Sequence, residues 1–93
     1  MMNININKIR KKLDKVDFTL LKIIKKRSLL VDQILKLKKN KKEVIDQKRI
    51  NFILKRIKKH SIKANIDPKI TVGIWKEMIK AFINYEFKKF KKK

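Results

Sequence analysis

The stretch INKIRKKLDKVDFTLLKIIKKRSLLVDQILKLKK, residues 6–39, decides the fold. Ile9, Leu13, Val16, Leu20, Ile24, Val31 and Ile34 recur at steps of three, four and seven, the spacing of one apolar stripe on an α-helix. No glycine or proline interrupts it. The pattern predicts a helix from about Asn7 to Lys39, roughly 50 Å long at 1.5 Å per residue. A chain of 93 residues cannot cover so long a stripe alone. A second copy of the same helix can. The sequence therefore predicts a homodimer in which long helices pair and exchange surface.

Two cations interrupt or extend that stripe. Leu20, Ile24, Arg27, Val31, Ile34 and Lys38 follow one helical face, and a cation without a partner is costly among apolar side chains. The chain holds 25 lysines but only four arginines, Arg10, Arg27, Arg49 and Arg56. Where lysine is the default cation, each arginine marks a place suited to a planar, permanently charged fork. Arg27 and Lys38 differ by only about 20° around an ideal helix and about 16 Å along it. Their long side chains can converge on one small anion.

Outward from this stretch the chain remains helical. KKNKKE, residues 38–43, reads as the first turn. A second helix is predicted from about Val44 to Lys59, with Ile45, Ile50, Ile53, Leu54 and Ile57 inward, and HSIKANI, residues 60–66, as the next connection. Asp67 followed by Pro68 is a strong helix start. The third helix directs Trp75, Met78, Ile79, Phe82, Ile83 and Phe90 toward the core. One glycine and one proline leave little scope for β-hairpins. The expected class is all-α, three helices in a single domain over residues 1–93, with the lysine-rich tail 88–93 frayed.

Composition narrows the chemistry. Without cysteine there is no disulfide framework, thiolate nucleophile or Cys-built metal site. One histidine, His60, and eight acids argue against a metal cluster, and no metal or cofactor is expected. His60 reads as an exposed helix-end residue, and Ser28 and Ser61 have no adjacent base to activate them. The N-terminal stretch has no signal-peptide core, and no run approaches a membrane span, so a cytoplasmic location without membrane contact is expected. A net charge of +21 invites a nucleic-acid reading. However, Lys, Ile and Asn make up more than half the chain, as an A/T-rich genome would dictate, and lysine spread over every face reads as solvated surface. No specific nucleic acid is expected.

Each helix nonetheless sets charge on or beside its inward stripe. Asp46, Arg49, Ile53 and Ile57 share one face of the second helix, as do Trp75, Ile79, Phe82 and Glu86 on the third. A buried ion pair such as Lys38 with Glu86, or Arg49 with Asp46, would explain any one of these. Three helices doing so, with cations in excess, favour a polar cavity for an anionic ligand.

These residues resemble the all-helical (AroQ-class) chorismate mutases over some eighty residues. The first helix carries Arg10 near its start, then Leu13-Asp14, Asp17, Leu20-Leu21 and Arg27, with Lys38 eleven residues beyond. VIDQKR, residues 44–49, is similar to the family's entry to the second helix, and IDPKITVGIWKEMIKAFINYE, residues 66–86, to its third. The resemblance implies an intertwined dimer with two active sites, each taking Arg10 from the partner chain. It implies that Arg10 and Arg27 hold the two carboxylates of chorismate, a dianionic small molecule. Lys38 is implied to donate to a carboxylate and the ether oxygen, and Asp46 and Arg49 to line the ring-hydroxyl side. Lys38, Glu86, Arg27 and Arg10 are thus the candidate catalytic residues; Asp46, Arg49, Ile50 and Phe82 complete the candidate binding set.

Two positions depart from the family pattern. The residue after Arg49 is usually Glu, which accepts from the substrate's ring hydroxyl; here it is Ile50. The position of Glu86 is usually Gln, donating to the ether oxygen, although some fungal members carry Glu. An apolar residue after the arginine is similar to isochorismate pyruvate-lyases of the same fold, which usually keep the Gln and lack the Asp matching Asp46. The expected activity is rearrangement of chorismate to prephenate in phenylalanine and tyrosine biosynthesis. The alternatives are the lyase and, from another class, a basic helical nucleic-acid-binding dimer.

Overall fold

The computed structural model describes residues 5–91, and every regular element among them is helical. The long helix α1 spans Ile6–Leu37, α2 spans Gln47–Lys63 and α3 spans Pro68–Lys89, with a 3-10 turn at Lys41–Val44 between α1 and α2. The three-helix, strand-free architecture expected from periodicity is the one observed among the described residues. Two compact units divide the chain between Val31 and Asp32, so that α1 contributes to both.

In the first unit the apolar stripe of α1 lies in water. Ile9, Leu13, Val16, Leu20 and Ile24 are 42–55% exposed, with Phe18 at 60%. Arg27, Ser28 and Val31 are half-buried. Lys22 Nζ stands 4.9 Å from the Phe18 ring centroid, one turn away, which places a cation over the face of the exposed aromatic.

In the second unit α3 packs chiefly on α2 and on the 3-10 turn. Leu35, Val44 and Ile79 are its buried apolar residues. Ile50, Ile53, Leu54 and Ile57 on α2, and Trp75, Met78, Phe82 and Ile83 on α3, are half-buried. Ser61, only 4% exposed, donates to the Ile57 carbonyl at 2.6 Å and shares a hydrogen bond with Thr71 on α3. That contact satisfies a hydroxyl which would otherwise be costly to bury.

Helix boundaries follow local chemistry and correct three expectations. α2 begins at Gln47 rather than Val44, because Asp46 caps it: its Oδ1 accepts from the Arg49 backbone N–H at 3.0 Å. Val44 instead enters the 3-10 turn and is 3% exposed, while Ile45, expected inward, sits in extended backbone at 51%. α2 also runs on to Lys63, through the segment expected to be a connection. It stops where Asn65 adopts φ 58°, with Asn65 N–H donating to Ile62 O and Ile66 N–H to Ser61 O. This is a Schellman end with asparagine in the left-handed position.

α3 starts where the sequence placed it. Asp67 accepts from the Lys69 N–H at 2.9 Å and Pro68 occupies the first turn. At the other end Lys88 and Lys89 close the helix and the Phe90 N–H donates to Glu86 O at 2.8 Å. The tail expected to fray from residue 88 is thus helical through Lys89, because its carbonyls continue the α3 ladder; residues 92–93 lie outside the described residues, as do residues 1–4.

Candidate active site

Lys38 follows immediately after α1, its N–H donating to Leu35 O at 3.1 Å in a tightened last turn. Its Nζ lies 2.8 Å from Glu86 Oε1 on α3. The two side chains are 17% and 9% exposed. Charges withdrawn this far from water persist only when paired. An ammonium has three N–H donors, of which one serves Glu86, so the pair retains donor capacity toward a ligand.

A second polar contact joins α1 itself to α3. The Tyr85 hydroxyl donates to Asp32 Oδ1 at 2.7 Å, and both residues are half-buried. The hydrogen bond donated to Asp32, then burial, then the Asp32 charge, raise the phenol above its ordinary value of 10.0. The Phe82 ring meets Tyr85 edge-on, with centroids 6.4 Å apart and planes at 87°. Neither Tyr85 nor Asp32 is marked out by the sequence pattern. With only eight acids against 29 cations, an acid beside the apolar stripe carries the same signal of scarcity as the four arginines.

Other expected site residues are placed as follows. Arg10 is exposed and Arg27 half-buried on the first unit's part of α1. Glu86 is 7% exposed and Phe82 half-buried on α3, in keeping with the face they were expected to share with Trp75 and Ile79. Ile50 is half-buried near the start of α2. Asp46 is not on a helical face at all: it is the α2 cap, and what it holds of Arg49 is the backbone N–H. The Arg49 guanidinium lies 5.2 Å from the Phe52 ring centroid, with Arg56 at 5.4 Å from the same ring. Arg49 thus has a cation–π partner, and among the described residues no carboxylate pairs with its guanidinium.

A cavity of about 680 Å³ is lined by Asn40, Lys41, Lys42 and Phe90. Lys41 and Lys42 give this opening a cationic rim, but neither Lys38 nor Glu86 lines it. Among the described residues no group of three or more His, Cys, Asp or Glu could hold a metal ion. None of the described helices is long and apolar enough to cross a membrane.

Residues 9–87 match the family model described as chorismate mutase type II. Neither a curated protein nor a solved structure matches the chain.

Proposed function

The chain belongs to the type II chorismate mutase family, and from that premise we propose that it rearranges chorismate to prephenate, as one helical domain supplying phenylalanine and tyrosine biosynthesis in the cytoplasm. The observation that carries the reading is the withdrawn Lys38–Glu86 pair, at two of the positions the family resemblance marks for the ether oxygen.

The reaction breaks the ether C–O bond as a C–C bond forms within the same molecule. It needs no nucleophile, metal or general base. The protein must hold the reactive conformer and stabilise the charge that grows on the ether oxygen. Arg10 and Arg27 clamp the two carboxylates, and Lys38 presents its ammonium to the departing oxygen. Glu86 donates to the same oxygen only as the neutral acid, because a carboxylate would repel it. Asp46, Arg49 and Ile50 line the ring-hydroxyl side, with Phe82 against the ring.

The working species in this reading is an intertwined homodimer, with Arg10 supplied across the interface. The exposed α1 stripe supports it, since Leu13, Val16 and Leu20 leave a continuous apolar face in need of cover. A second reading, isochorismate pyruvate-lyase, is favoured by Ile50 alone, which cannot accept from a ring hydroxyl. Product analysis with both substrates separates the two.

A further inference from the structure

We propose that Tyr85 and Asp32 form a positioning pair: their hydrogen bond fixes the end of α1 against α3 so that the Lys38 ammonium is aimed at Glu86 and at the substrate's ether oxygen. The inference rests on the mutase reading for its consequence in turnover, but the contact itself stands on geometry.

α3 packs chiefly on α2 and the 3-10 turn, so the end of α1 reaches α3 largely through side chains. Two of these contacts are polar and lie at consecutive α3 residues: Tyr85 to Asp32 at 2.7 Å and Glu86 to Lys38 at 2.8 Å. Asp32 lies within α1 and Lys38 immediately after it, six residues on. On α3 adjacent residues differ by about 100°. One ion pair alone would let the end of α1 roll about its axis and carry Lys38 with it. A second tie, made from within the helix, removes that freedom. The edge-on contact with Phe82 sets the plane of the Tyr85 ring and so the direction of its hydroxyl. Tyr85 touches neither substrate nor the reacting atoms in this scheme. It acts through Lys38, whose placement to within a fraction of an ångström governs how well it meets charge formed only in the transition state.

The test uses the full chain. Tyr85→Phe keeps the ring and removes the hydroxyl; kcat is expected to fall about tenfold with KM within roughly twofold of the parent. Its melting temperature should stay within a few degrees. Asp32→Asn, whose amide oxygen still accepts, should retain most of the parental kcat, while Asp32→Ala should match Tyr85→Phe. The double variant Asp32→Ala/Tyr85→Phe should be no slower than either single, because the same contact is lost. Parental kcat in Tyr85→Phe, or losses that add in the double variant, would overturn the pairing. Should Tyr85→Phe fail to fold, the contrast between Asp32→Asn and Asp32→Ala carries the same decision.

A parent that makes no prephenate sinks the mutase reading and leaves the pair to be judged without turnover. Proton–nitrogen correlation spectra of the Lys38 ammonium then decide. A signal protected from exchange in the parent and in Asp32→Asn, but lost in Tyr85→Phe and Asp32→Ala, supports positioning. An ammonium signal unmoved by Tyr85→Phe overturns it.

Discussion

Lys38 Nζ and Glu86 Oε1, 48 residues apart in sequence, stand 2.8 Å apart with both side chains largely withdrawn from water. The contact ties the end of α1 to the last turns of α3 and places a cation and an acid side by side. In the proposed reaction each has a different task at one oxygen. The cation is ready as it stands; the acid can donate there only in its neutral form.

Glu86→Gln supplies a permanent donor where a carboxylate would repel the ether oxygen. Its kcat should exceed the parent's, by up to roughly a hundredfold if a whole oxyanion-type donor, about 3 kcal/mol, is restored. Steady-state rates of both proteins read this directly. A Glu86→Gln rate below the parent's contradicts it.

Removing the cation should harm both activity and the fold. Lys38→Ala leaves Glu86, 7% exposed, without its partner. Breaking a buried pair from one side costs about 3 kcal/mol or more. Lys38→Met/Glu86→Leu, which removes both charges, should recover stability in urea unfolding but no turnover. Equal stability of Lys38→Ala and the parent would show that the pair is too well solvated to matter to the fold.

Ile50→Glu restores an acceptor where the family usually has one. Mutase kcat/KM should rise, by up to about tenfold for one hydrogen bond to a substrate hydroxyl. A further fall in the mutase rate would mean that the pocket around Ile50 is shaped for a different substrate.

The exposed stripe on α1 gives an expectation for assembly. Sedimentation of the parent at micromolar concentration should give twice the chain mass, and Leu13→Asp/Leu20→Asp should give a single-chain mass with little remaining activity. Leu13 and Leu20 are 55% and 49% exposed, so two charges there have little to disturb in an isolated chain. A dimeric, active double variant would place the interface elsewhere.

Most of the helix pattern was legible because periodicity and capping chemistry agree over long segments. Arg27 and the apolar stripe of α1, the Asp67-Pro68 start of α3, and Glu86 on one face with Ile79 and Phe82 all follow from spacing alone. The start of α2 was not, because a three-residue shift turns Asp46 from a residue on a helical face into the cap that precedes it. Spacing cannot distinguish the two; the side-chain bond to the Arg49 N–H does. Ser61 and Lys63 were read as connection since they are polar, yet a hydroxyl bonded to Ile57 O sits comfortably within a helix. Lys38 with Glu86 was one of several possible ion pairs, and only packing selects it. Asp32 with Tyr85 depends on two helices meeting far apart in sequence, which no local pattern reports.

Tyr85 is the one tyrosine in the chain, so ultraviolet titration reads it without interference from another phenol. Its ionisation should lie above 10.0 in the parent and move back toward that value in Asp32→Ala. The raised value means that the folded chain favours the neutral phenol more than the unfolded chain does. Its stabilisation is then fully present below about pH 10 and lost as pH rises through the folded value. A tyrosine titration unmoved by Asp32→Ala would show that the hydrogen bond is not formed in solution.

The central claim is tested most directly by incubating the purified protein with chorismate and, separately, with isochorismate, and identifying the products. Prephenate from chorismate, with isochorismate left intact, is the predicted result. Salicylate and pyruvate from isochorismate, or no prephenate from chorismate, would contradict it.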